Sequence, residues 1–303
     1  MSARLTFTRP ARLAAIAPYL WMLLFFLVPF GFVLKISLSQ TAIAQPPYVP
    51  VFDLTQGFSA LKAAAELSLD NFRLLVSDNL YVLSYLRSLA VAAVSTSILL
   101  LIGYPIAYAM ARLPRRWQAL AMMLVIIPFW TSFLIRIYAW INILQHDGLL
   151  NKLLLALHLV SAPVVWLSTD SAMYLGIVYS YLPFMILPLY ATLAKMEPAL
   201  LEAAADLGAS PARAFWLVTF PLSLPGVAAG VLLCFIPIVG EFVIPDLLAG
   251  SDSLMIGQTL WLEFFTNKDW PVAAAAAVVL LLLLMVPLAL YDRLQRRQLE
   301  QAR

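Results

Sequence analysis

From Leu13 to Leu34 the chain runs 22 residues without a charged side chain. A helix needs about 20 apolar residues to cross the hydrocarbon core of a bilayer, so this run commits the chain to lipid contact. Composition says the same of the whole. The 303 residues are 63% hydrophobic and 12% charged, and mean hydropathy is +0.90. A soluble domain is roughly half apolar and a quarter charged. A globular core cannot absorb this much apolar surface, so part of the solvent must be lipid.

Five further apolar runs follow. The expected spans are about 14–37, 81–111, 117–145, 171–195, 222–248 and 270–291. This is an all-α membrane protein with six transmembrane helices, its residues 1–303 forming one transmembrane domain. Proline occurs inside several spans, at Pro128, Pro183, Pro188, Pro237 and Pro245. It is tolerated there because neighbouring helices satisfy the freed carbonyls. Ala42-Ile43-Ala44 resembles a signal-peptide cleavage site, but the first apolar run exceeds the 7–15 residues of a signal sequence. The first span is therefore read as retained.

Between spans, residues 38–80 contain breakers at Pro46, Pro47, Pro50 and Gly57, and a short helix is expected from Ala60 to Leu67. Asp53, Glu66, Asp70 and Asp78 make this loop acidic, and it is placed outside the membrane. Gly148 to Leu159 is amphipathic and is expected to lie in the interface.

Orientation follows from Lys and Arg, which accumulate in cytoplasmic loops. The N-terminus (Arg4, Arg9, Arg12), the Arg112–Arg116 turn, Lys195 with Arg213, and the tail (Arg293, Arg296, Arg297, Arg303) hold 12 of the 19. Both termini are expected in the cytoplasm.

The longest polar interruption of the second half, about 197–212, shares that side. Pro198 suits a first helical turn, and Glu202-Ala203-Ala204-Ala205-Asp206 continues the helix with its acids at i,i+4. Gly208 is a helix stop, and Ser210-Pro211 reads as the N-cap and first position of a second helix. The expected product is helix, sharp corner and helix at a membrane surface.

Several chemistries are absent from the pattern. The single Cys234 excludes an intramolecular disulfide framework and is read as inert packing. There is no Gly-x-x-x-x-Gly-Lys phosphate loop, so no nucleotide is bound by this chain. His146 and His158 in one loop, with Cys234 elsewhere, make a poor metal set. The net charge of +3 is not gathered into a nucleic-acid-binding stripe. No catalytic residue is assigned.

Charges inside spans are expensive and usually functional. Arg136 follows 19 uncharged residues, while Glu241 and Asp246 fall late in the fifth span. By the expected orientation all three lie toward the outer side. They either line a pathway, the acids attracting a cation, or Arg136 pairs with Glu241 and holds two helices together. Phe129, Phe133, Arg136 and Trp140 follow a helical stripe. With Trp130, Tyr174 and Tyr181 they offer ring faces that attract ammonium groups, or simply pack between helices.

Glu202-Ala203-Ala204, Leu207-Gly208-Ala209, Phe215, Pro221-Leu222 and Pro225-Gly226 together resemble the EAA motif of ABC importer permeases. Pro128 to Arg136, Tyr181 to Met185, Gly240 to Asp246, Met255-Ile256-Gly257 and Asp269-Trp270-Pro271 resemble the polyamine-importer permeases, in the later segments the putrescine type. The resemblance implies a type I importer permease fold in a bacterial inner membrane, with Glu202, Ala203, Ala204, Asp206, Leu207, Gly208 and Ala209 on a cytoplasmic coupling helix. It implies a second, related permease, two ATPase subunits carrying ATP and magnesium, and a periplasmic polyamine-binding protein. It implies import of putrescine or spermidine by alternating access. A secondary transporter of small organic cations would also show six spans and buried acids, but needs neither the Glu-Ala-Ala…Gly corner nor an ATPase. An intramembrane enzyme would need a nucleophile–base pair or metal set within the spans, and a purely structural subunit would leave the three charges without a purpose.

Overall fold

The computed structural model describes residues 9–51, 67–250 and 253–301. The helix expected from Ala60 to Leu67 falls outside them except for Leu67, which is not helical. The chain divides into two compact units, one formed by residues 1–79 and 260–282, the other by 80–259 and 283–303.

In the first unit, α1 (Arg9–Met22) passes through a π turn (Leu23–Leu27) into α2 (Val28–Ser37). Trp21, Phe25 and Phe26 are 58–64% exposed, as a lipid-facing helix requires. A small antiparallel hairpin follows, with β1 (Gln40–Thr41) pairing β2 (Tyr48–Val49). The loop is tied to its own unit. Thr41 Oγ1 donates to Asp269 at 2.7 Å, and the Tyr48 ring packs on Trp270. Asn71, on α3 (Asp70–Ser77), donates to the carbonyls of Ser37 and Ser39, pinning the end of α2.

The second unit begins with α4 (Asn79–Arg112). Next come α5 (Arg115–Ile126), a 3-10 turn (Ile127–Trp130), α6 (Phe133–Leu144) and α7 (Leu149–Ala156). Then follow α8 (Asp170–Leu193), α9 (Ala199–Asp206), α10 (Pro211–Ala214), a π turn (Phe215–Thr219), α11 (Phe220–Val239) and α12 (Val243–Leu248). After α12 come α13 (Ile256–Trp261), a third π turn (Leu262–Thr266) and α14 (Trp270–Gln301), of which residues 260–282 belong to the first unit.

Five helical stretches are long and apolar enough to cross a membrane: Ile16–Ser37, Asn79–Arg112, Asp170–Leu193, Pro211–Val239 and Trp270–Arg293. The sixth is broken. Arg115–Trp130 and Phe133–Ala156 are bent by 88°, so the expected third span at 117–145 is not one helix. Pro128 has no N–H to give the ladder, and Thr131 and Ser132 take extended backbone angles. The Thr131 hydroxyl donates to the Pro128 carbonyl at 2.8 Å, satisfying one group the break sets free.

The fifth span also differs from its expected 222–248. It starts at Pro211, so the second helix of the corner and the span are one continuous run. The π turn lets it continue past Pro221, which cannot donate a ladder bond. At its far end the helix stops at Val239 and resumes only at Val243.

The core of this unit is the packing of α11 along α8. Met173, Ile177, Met185 and Leu189 from α8, with Cys234 and Ile238 from α11, are fully buried. The approach is close. A Cβ on Gly226 would lie 2.5 Å from Thr192 Oγ1 and 3.0 Å from the Pro188 carbonyl oxygen, so only glycine fits. Cys234 is buried, its thiol facing the Tyr181 carbonyl. Tyr104 of α4 hydrogen-bonds Ser223 of α11 at 2.9 Å in a buried contact. The expected amphipathic segment is α7, anchored by Asn151, whose side chain bonds the backbone of Val164 and the Trp166 indole. Leu149, Leu153 and Leu157 point outward from it, each more than half exposed.

Candidate functional site: an exposed corner and a charged aromatic row

The corner forms as its residues dictate. Pro198 precedes α9 and accepts from the amides of Leu201 and Glu202 through its carbonyl. At the other end the Ala209 amide reaches the Ala204 carbonyl at 3.0 Å, and the Gly208 amide reaches that of Ala205 at 2.8 Å. This is a Schellman closure, which requires a left-handed residue at the position of Gly208. Gly208 has φ +80°. Ser210 then caps α10, its hydroxyl accepting from the Arg213 amide, with Pro211 at the first position.

Glu202, Ala203, Asp206, Leu207 and Gly208 are exposed, while Ala204 and Ala209 are half-buried. Leu207 is 89% exposed, an apolar knob at the tip of the corner flanked by two acids. Beyond it in the chain, Phe215 and Phe220 pack with Tyr104, and Trp216 packs on both phenylalanines. The corner is thereby wedged against α4 through the same tyrosine that bonds Ser223. Tyr104 and Ser223 were not singled out in the sequence. Only their distance in the chain, 119 positions, hid them.

The second group of residues lies around the two helix breaks. Glu241 is 9% exposed. Its Oε1 accepts from the amides of Val243 and Ile244, at 3.1 and 3.4 Å, and so caps α12. Its Oε2 accepts from the Tyr181 hydroxyl at 2.6 Å, the short distance of a charge-assisted bond. Asp246 is exposed in the first turn of α12, where a carboxylate complements the helix dipole.

Arg136 and Glu241 do not form an ion pair. The guanidinium carbon of Arg136 lies 4.6 Å from the ring centroid of Phe129 and 5.8 Å from that of Phe133. Its Nε and Nη1 are buried without a hydrogen-bond partner. The expected stripe over Phe129, Phe133, Arg136 and Trp140 is interrupted, because the chain breaks between Phe129 and Phe133. Phe129 still meets Arg136, by folding back across the bend rather than by helical spacing. Trp140 instead packs edge-on against Tyr179, 5.4 Å away. Trp130 is 76% exposed.

One aromatic ring went unselected in the sequence. Phe184 meets Phe129 edge-to-face at 5.2 Å and lies 6.1 Å from Tyr181. A row therefore runs Arg136, Phe129, Phe184, Tyr181, Glu241, from a cation to a carboxylate. Tyr181 and Phe184 are three apart on one helix face, which was legible; the approach of Phe129 was not.

Five apolar helices long enough to cross a membrane, a sixth that is bent, an exposed corner and charges held at helix breaks define a multi-pass membrane protein. Residues 101–300 match the model of the binding-protein-dependent transport system inner membrane components, and the chain belongs to this family. It is an inner-membrane permease subunit of an ABC importer. It is 41% identical over 229 residues to the spermidine/putrescine transport system permease protein PotB of Salmonella typhimurium strain LT2, covering 76% of this chain and 79% of the relative. It is 38% identical over 251 residues to PotB of Haemophilus influenzae, covering 83% and 82%. In fold it is similar to a chain of a bacterial ABC transporter involved in the import of the acidic polysaccharide alginate, with TM-score 0.69, 17% identity and 94% of each chain covered. A chain of the MetNI methionine ABC transporter matches with TM-score 0.53, 19% identity and coverage of 71% and 94%.

Proposed function

We propose that this chain carries polyamines, putrescine or spermidine, from periplasm to cytoplasm as one half of a permease pair. A second, related permease forms the other half. Two ATPase subunits, which hold the ATP and magnesium, dock on the cytoplasmic face. A periplasmic polyamine-binding protein delivers the substrate to the outer loops. Both termini and the α9 corner face the cytoplasm, in keeping with the distribution of Lys and Arg.

The observation that carries the reading is the corner. A closed, exposed helix–glycine–helix with Leu207 at its tip is a rigid handle suited to a groove on an ATPase. Its aromatic backing passes movement to α4 and α11. ATP binding must then favour one of two states by about 5.5 kcal/mol to move the population almost completely. The substrate class is supported by the names of the PotB relatives and by Glu241, whose carboxylate ends a row of ring faces. A secondary transporter would have no use for such a handle.

The test is uptake by the assembled complex in proteoliposomes. Uptake of radiolabelled putrescine or spermidine should require the ATPase, ATP and the binding protein together. Uptake driven by an ion gradient alone would overturn the importer reading. Competition between the two polyamines ranks them as substrates.

A further inference from the structure

Arg136 presents an energetic anomaly. A buried charged group left without an acceptor costs more than the roughly 1–3 kcal/mol of an unsatisfied neutral one. A cation–π contact returns only about 0.5–2 kcal/mol. Nε and Nη1 of Arg136 have no partner, and the compensation the structure offers is the faces of Phe129 and Phe133. The guanidinium is therefore held weakly, by rings and not by an acid, although Glu241 stands at the far end of the same row.

The row has the composition of a cation site. Phe129 and Phe133 supply ring faces, and Phe184 and Tyr181 continue them to a carboxylate. Phe184 is 41% exposed, so the row is open at the surface of this chain. One of its ring positions is already filled, by a cation that belongs to the protein.

We infer that Arg136 is a tethered occupant of a cation-binding position on Phe129 and Phe133, displaced when an ammonium group of the substrate takes those rings. The inference rests on the reading of the cargo as a polyamine. Displacement is favoured by two features. An ammonium arriving along the row from Glu241 repels the guanidinium, and Arg136 has no hydrogen bonds from Nε or Nη1 to lose. When no substrate is present the arginine returns and closes the position to small cations. The arginine is thus a specificity device: a monovalent cation must overcome the same repulsion without a second ammonium anchored at Glu241.

The experiment measures equilibrium binding of radiolabelled putrescine to the assembled complex in nanodiscs, without binding protein, alongside ATP-driven uptake in proteoliposomes. Arg136→Gln frees the rings and should tighten binding about tenfold. Phe129→Leu keeps apolar bulk but removes the ring, and should weaken binding several-fold. In the double variant the gain from Arg136→Gln should shrink by more than half, because the nearer of the two rings it vacates is gone. If the gain persists in full, Arg136 acts only through its field and the inference fails. If Arg136→Gln binds no tighter than wild type, it fails as well. Should Arg136→Gln not assemble, Phe129→Leu decides, and unchanged affinity there overturns the proposal. Failure of the wild-type complex to take up any polyamine would instead sink the cargo assignment, a separate result.

Discussion

The Tyr181 hydroxyl donates to Glu241 Oε2 across 2.6 Å, joining the middle of α8 to the break between α11 and α12. The other carboxylate oxygen caps the helix that resumes after the break. One side chain thus closes a gap in a span, orders the next helix and carries the charge that ends the aromatic row.

Glu241→Gln keeps the shape: its amide oxygen can accept from the two backbone amides and its N–H₂ can donate to the tyrosine oxygen, so what it removes is the charge. Loss of the charge, which weakens each of these hydrogen bonds, should cut uptake per assembled complex by about tenfold, given about 1.5–3 kcal/mol for a hydrogen bond to a charged group. Tyr181→Phe removes the bond but leaves the charge and the cap, and should retain more uptake. Uptake normalised to complex recovered by affinity purification separates the two. Equal impairment in both variants would mean that the bond matters and the charge does not.

The corner gives a conformational test. No atom would lie within 4 Å of a Cβ on Gly208, so any cost of substitution comes from φ +80° alone. Gly208→Val should impair ATP-coupled uptake strongly, since a left-handed residue with a Cβ costs about 1–2 kcal/mol and β-branching adds to it. Gly208→Asn, which tolerates this region, should be milder. Glu202→Lys should impair coupling without affecting insertion. Full uptake by Gly208→Val and Glu202→Lys at normal expression would remove the coupling assignment.

Packing of α11 on α8 makes a third test. Gly226→Leu drives a side chain into the Thr192 side chain and the Pro188 carbonyl. Overpacking costs about 1–3 kcal/mol, so the purified complex should unfold at a lower temperature. Tyr104→Phe, which loses a buried hydrogen bond to Ser223, should cost about 1 kcal/mol. A melting temperature unchanged by Gly226→Leu would contradict the close helix approach.

Topology is checked by labelling. With Cys234 replaced, single cysteines at Ser2, Ser161 and Ala302 are exposed to an impermeant thiol reagent in intact cells. Ser161→Cys should label and the other two should not. External labelling of either terminal position would reverse the orientation drawn from the charge distribution.

The sequence alone determined the number of apolar spans and the shape of the corner, because the features responsible are local. Span length is a count of apolar residues. The corner is set by Pro198, Gly208, Ser210 and Pro211, each acting on the few residues beside it, and the structure has each in its expected conformation. Tertiary structure decided what depends on residues far apart in the chain. Periodicity carried Phe129 into one stripe with Phe133, Arg136 and Trp140, but the break at Thr131 and Ser132 turned α6 by 88° and sent Trp140 to Tyr179. Composition offered Arg136 an acid partner, yet Tyr181 and two backbone amides bond to that acid. Hydrogen bonds and ring contacts between α4, α5, α8 and α11 are satisfied by whichever groups the packing brings within reach, and no one-dimensional pattern records that choice.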